Sequence, residues 1–173
     1  MDIAILGENS LRLKGKKVAF IVDPEKGMPK TSADAVILLN DGNNNVDISR
    51  VTDSRLIITG PGSYEVGGIK VSGLKTPKGI VYRILIDDIT TILGSSTDTK
   101  VEGYDVCQVA IVNTTNDFSE SYVTALEPKI TVLYGDKKEE SAKKLGAESV
   151  SMVTKITILK DKLPEEMEIA VLG

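Results

Sequence analysis

Histidine is absent from all 173 residues of this chain. Histidine is the usual base beside a nucleophilic Ser or Cys and the commonest nitrogen ligand of catalytic zinc, so a histidine-dependent triad or zinc hydrolase site cannot be built here. Tryptophan is also absent and aromatic residues make up 4% of the chain. That leaves few side chains of the kind that anchor interfaces or stack on bases. Tyr64, Tyr104, Tyr122 and Tyr134 are the candidates, with core or sheet-surface packing as their competing role. A single cysteine, Cys107, rules out an internal disulfide. It sits in the strand-like run Asp105 to Val112 and is expected to be a core thiol, with no base nearby to activate it.

Positive charge is scarce as well. A net charge of -4 and a pI near 5.0 oppose wrapping a polyanion, so nucleic acid is not an expected partner. The lysines that do cluster, Lys14, Lys16 and Lys17, then Lys137, Lys138, Lys143 and Lys144, read as solvated faces. No apolar run approaches a membrane span, and the acid at Asp2 argues against a secretory leader, so the expected setting is cytoplasmic without a membrane partner.

What is present is a composition that folds: 41% hydrophobic and 27% charged residues, over a length suited to one domain spanning 1–173. The first two thirds consist of short β-branched runs punctuated by Gly, Pro, Asn and Asp, which predicts strands from Asp2 to Leu93. Gly15-Lys16 and Gly67-Gly68 separate pairs of these runs and predict hairpins that need positive φ. After Val106 to Val112 the pattern becomes strand, helix, strand, helix, strand. Helices are predicted over Phe118 to Glu127, stopped by Pro128, and over Lys137 to Leu145, stopped by Gly146. A meander followed by a βαβ-like half predicts an α+β domain of two packed sheets with helices on an outer face.

Chemistry is sparse in the pattern. Gly60-Pro-Gly62 and Gly67-Gly68 fit no phosphate-binding spacing and read as turns. The run Asn40-Asp-Gly-Asn-Asn-Asn-Val-Asp47 alternates oxygen ligands at Asp41, Asn43, Asn45 and Asp47 like the start of a calcium loop. It lacks the glycine at the sixth position and carries Thr52 at the twelfth, so a turn is favoured and a weak hard-cation site is the remainder. The adjacent pairs Asp87-Asp88, Glu139-Glu140 and Glu165-Glu166 read as surface charges, because neighbours in sequence do not face each other on a strand or a helix.

Several segments together resemble a compact branch of the metallo-β-lactamase superfamily over most of the chain. Ile3 to Lys14, reading Ile-Ala-Ile-Leu-Gly-Glu-Asn-Ser-Leu-Arg-Leu-Lys, resembles the family's first hairpin, commonly Leu-Gly-His-Ser-Cys-Phe-Arg-Ile. Val18 to Pro24 is similar to the next strand with its Asp-Pro ending, and Ala33 to Leu39 to the strand that delivers the metal motif. Ile57 to Ile69, with Gly-Pro-Gly-Ser-Tyr-Glu-Val-Gly-Gly at its centre, is the most specific match. Ile92-Leu-Gly94, Leu126 to Ile130 and Leu163 to Glu166 resemble later family segments.

The resemblance implies a four-layer αββα sandwich of two mixed sheets with few helices. It also implies where a dinuclear metal site would sit, and the departures fall there. The family's His-x-His-x-Asp-His corresponds to Asn40, Gly42, Asn44 and Asn45, with Asp41 retained between the first two positions. The early His beside Leu-Gly is Glu8, the Asp after the later Leu-Gly is Ser95, and the late histidine falls near Gly135. Neutral amides and glycine are poor zinc ligands. The expectation is therefore a degenerate site with no catalytic, metal or cofactor residues and no cofactor. The chain would be a pseudoenzyme that binds an unidentified protein or ligand, or a second copy of itself. The alternative is a hydrolase with a relocated oxygen-ligand site for Mg, Ca or Mn, near Asp41 and Asp47.

Overall fold

The computed structural model describes residues 1–39, 45–77, 79–95, 104, 106–116 and 118–173. The strands are β1 (Asp2–Ile5), β2 (Leu11–Lys14), β3 (Ala19–Val22), β4 (Thr31–Ser32), β5 (Ala35–Ile37), β6 (Val51–Thr52), β7 (Leu56–Ile58), β8 (Gly62–Val66), β9 (Ile69–Thr76), β10 (Gly79–Ile86), β11 (Ile89–Ser95), β12 (Val109–Asn113), β13 (Ile130–Tyr134), β14 (Met152–Val153), β15 (Lys155–Thr157) and β16 (Glu168–Leu172). The helices are α1 (Glu120–Ala125) and α2 (Lys138–Lys144), with 3-10 turns at Ile48–Arg50 and Lys160–Lys162.

The long strands fall where β-branched runs place them, and α1 and α2 occupy the two predicted helical stretches. Ser119 caps α1 by accepting from the Tyr122 N–H, and Pro128 lies just beyond its end. The short pieces β4, β6, β14 and the 3-10 turns carry no periodic signal, because two or three residues are too few to show one.

Two mixed sheets result. One orders its strands β15-β1-β2-β3-β5-β7, the other β14-β16-β13-β12-β11-β10-β9-β8, and β4 pairs with β6 separately. In the larger sheet β8 to β11 are antiparallel, whereas β11, β12, β13 and β16 run parallel through crossovers that carry α1 and α2. The smaller sheet is closed from a distance, since β1 takes β15 as its second neighbour and pairs Ile3 with Ile156.

The core lies between the sheets: Ile3, Leu11, Leu13, Phe20, Ile37, Ile84, Ile111 and Val132 are fully buried within one cluster. Burying each such side chain contributes about 1.5–3 kcal/mol, which makes this interior the main source of stability. A second cluster, including Ala110, Val112, Leu133, Tyr122 and Val123, packs α1 and α2 on the outer face of the larger sheet. A third, with Ile21, Met28, Val36 and Val51, covers the smaller sheet with loop segments and a 3-10 turn. Cys107 is buried in the second cluster, and burial pushes its thiol up to about 12, which keeps it protonated and unreactive.

Gly67 and Gly68 have φ of 57° and 80°, as the two-residue hairpin between β8 and β9 requires. Gly15 differs from expectation, because it is not among the glycines with positive φ. Space selects it instead: a Cβ there would lie 2.7 Å from Ile86 Cγ1 and 3.1 Å from Asp87 Oδ1, in the opposing sheet. No helix among the described residues is long and apolar enough to cross a membrane.

Candidate functional site

The parallel strands place their C-terminal ends together. Register sets Ser95, Asn113 and Tyr134 side by side across β11, β12 and β13, directly above the apolar rows Leu93, Ile111, Val132 and Thr91, Val109, Ile130. Side chains alternate faces along a strand, so this polar row shares its face with the apolar rows and caps the interior between the sheets. All three residues are buried, Tyr134 completely.

From the smaller sheet, the turn after β1 brings Asn9 to the same end. Its Oδ1 accepts from Thr115 Oγ1 at 2.6 Å and from Asn113 Nδ2 at 3.3 Å, and Asn113 Oδ1 in turn accepts from the Thr115 N–H at 2.9 Å. Gly135 closes the cluster from below with φ 96°. A Cβ built on it would stand 2.7 Å from Thr115 Oγ1 and 3.1 Å from Asn113 Oδ1. Thr114 ties the ends of β12 and β13 together, since its N–H and its hydroxyl both donate to the Tyr134 carbonyl at 2.8 Å.

Asp23, just past β3, is 5% exposed and adopts φ 43°. Its carboxylate Oδ1 accepts from the Leu39 N–H at 3.0 Å, its carbonyl accepts from Ser10 Oγ at 2.6 Å, and its N–H donates to Ile37 O at 3.0 Å. Burial raises its pKa to about 7 despite the Leu39 bond, with the Glu25 charge pushing the same way. The Tyr134 hydroxyl lies close enough to feel Asp23. It is driven upward first by burial and then by that charge, with an opposing pull from the Asn113 side chain. It nevertheless makes no hydrogen bond of acceptable geometry among the described residues. Tyr82 pins the neighbouring loop, its hydroxyl donating to Leu38 O at 2.9 Å.

Of the residues expected from sequence, Ser95 and Gly135 lie in this end of the sandwich, whereas the Glu8 and Asn45 side chains point to solvent. Asn40, Asp41, Gly42 and Asn44 lie outside the described residues, as does Asn43. Asp47 is occupied locally, accepting from Ser49 N at 3.1 Å and Ser49 Oγ at 2.6 Å, and it caps the following 3-10 turn. Asp87 departs from a plain surface charge. It is half-buried at the far end, where its carboxylate accepts from the Lys16 N–H at 3.0 Å and pairs with the Met1 ammonium at 3.1 Å. Of the four tyrosines singled out in the sequence, Tyr104, Tyr122 and Tyr134 are buried, and Tyr64 is half-buried and bonded to Gly60 O.

Asn9, Asp23, Asn113 and Thr115 are missed by motif reading. A usable signal was the parity of three strand ends, Leu93-Gly-Ser95, Ile111-Val-Asn113 and Val132-Leu-Tyr134, each of which puts a polar group at the next core-facing position.

This sandwich, with its site at the ends of the parallel strands, is the metallo-β-lactamase fold. A candidate Zn-dependent hydrolase of the metallo-β-lactamase superfamily from Thermotoga maritima aligns over 99% of this chain and 98% of its own, with TM-score 0.77 and 20% identity. The isothiocyanate hydrolase from Delia radicum gut bacteria aligns over 98% and 95%, with TM-score 0.62 and 11% identity. Zn(2+)-bound PqqB from Methylobacterium extorquens aligns over 86% of each chain, with TM-score 0.55 and 10% identity. No protein-family model and no curated protein sequence matches the chain.

The residues present do not fit the zinc that this fold brings to mind. There is no histidine in the sequence, Gly135 offers no side chain, and no group of three His, Cys, Asp or Glu converges among the described residues.

Proposed function

We propose that this chain is a non-catalytic protein on the metallo-β-lactamase fold, with its metal site lost, that acts by binding a protein, a ligand or a second copy of itself. The observation that carries this reading is the chemistry around Gly135: where a metal-binding side chain would project, three neutral polar side chains hydrogen-bond one another. Neutral amides and hydroxyls neither lower the pKa of a bound water nor hold a divalent cation without carboxylates beside them. The one buried carboxyl among the described residues, Asp23, already accepts the Leu39 N–H. The acidic net charge supports partners other than nucleic acid, and the composition supports a cytoplasmic setting.

Thermal unfolding of chelator-treated protein with and without Zn²⁺, Mn²⁺, Mg²⁺ and Ca²⁺ tests this. An ion at a hundredfold over its Kd adds about 2.7 kcal/mol of stability. An unchanged Tm with every ion is expected. A saturable rise that Asp41→Ala abolishes would overturn the reading in favour of an oxygen-ligand hydrolase.

A further inference from the structure

Resting on the metal-loss reading above, we infer that the Asn9, Asn113 and Thr115 cluster is a link between the two sheets at this end of the sandwich, built from neutral side chains packed against Gly135. Asn9 belongs to the turn of the smaller sheet, and Asn113 and Thr115 to the end of β12 in the larger one. Both side-chain bonds that Asn9 Oδ1 accepts therefore cross from sheet to sheet, at 2.6 and 3.3 Å.

A metal does the same work by taking ligands from several loops at once, whereas here one amide oxygen takes two donors. Gly135 is the condition for the arrangement, because any Cβ at that position would intrude on Thr115 Oγ1 and Asn113 Oδ1. The amide oxygens of Asn9 and Asn113 both accept from within the cluster, so a ligand competing for either of them has to displace a bond already made. It follows that restoring histidine at 135 alone would not rebuild a metal site; it would break the link.

A thermodynamic cycle on the whole chain tests the link. Asn9→Ala, Thr115→Val and the double variant are unfolded with urea alongside the unmutated protein. Each single variant is expected to lower the midpoint, and the double variant to lose clearly less than the sum of the two, because the second change removes a bond that is already gone. Strictly additive losses overturn the link. Should a variant not fold, the intact protein still decides: the Asn113 side-chain amide protons are expected to exchange with water at least tenfold more slowly than a free amide, and exchange at the free rate overturns the link. Zn²⁺ titration of the same unmutated sample reports separately on the metal-loss reading, so failure of one is distinguishable from failure of the other.

Discussion

The two ends of this sandwich each hold an aspartate against the junction between the sheets, and they hold it in opposite ways. At the hairpin end, burial works against the charge of Asp87, but the Lys16 N–H and the Met1 ammonium outweigh it and keep the carboxyl below its ordinary value. At the end where the parallel strands finish, Asp23 has one backbone donor and no cation, so burial wins and its pKa climbs to about 7. The same side chain is a charged clamp at one end and a proton-holding group at the other. Depth and counter-charge together decide which.

The largest effect expected from breaking this comparison comes from Gly135→Ala. It forces a Cβ into the neutral cluster at φ 96° and should cost about 3 kcal/mol by urea unfolding, from strain and overlap together. A loss below half a kilocalorie would mean that the cluster yields easily.

Asp87→Ala comes next. It strips two charge-assisted partners and should cost about 2 kcal/mol at pH 7. Because the folded pKa of Asp87 is lowered, its contribution is present at neutral pH and disappears as pH falls below about 4, so the gap between variant and parent should close in acid. A gap that does not narrow at all between pH 7 and pH 3 would show that packing, not charge, is what Asp87 provides.

Asp23→Asn should act with the opposite sign. The raised folded pKa means that stability from the protonated form is complete below about pH 4 and is lost as pH rises through about 7. Asn keeps an acceptor for the Leu39 N–H and never ionises, so the variant should match the parent at pH 4 and exceed it by about 1–2 kcal/mol at pH 8. Equal stability at both pH values would remove the contrast between the two ends.

The smallest expected change is Tyr134→Phe. Deleting a buried hydroxyl that makes no hydrogen bond among the described residues should leave stability unchanged or raise it by up to about 1 kcal/mol. A clear loss, measured at equal pH, would reveal a partner for that oxygen.

The fold was far more readable from sequence than the site, and the reason is geometric. Runs such as Ile80 to Ile86 and Val109 to Val112 carry their periodicity locally, so strands and hairpins follow from near neighbours. The two-sheet layering followed from the switch to strand, helix, strand after Val106. By contrast Asn9 meets Thr115 across more than a hundred residues of chain, and no local pattern announces a contact of that span. The resemblance pointed to Ser95 and Gly135, which lie at this end of the sandwich, and to Glu8, which is exposed while its neighbour Asn9 joins the cluster. The need for glycine at position 15 was read as a turn requirement and proved to be a clearance against Ile86, a fact held only in the opposing sheet.

The pairing of β1 with β15 has a consequence for how the molecule comes into being. Ile3 waits for Ile156, so β1 keeps one edge unpaired until about 150 further residues have left the ribosome. At synthesis speeds of about 5–20 residues per second, that edge stays open for roughly ten to thirty seconds. Over that interval β1 is paired on one edge only, with β2, which in turn pairs with β3. The protein's most vulnerable moment thus falls before folding is complete, during its own manufacture.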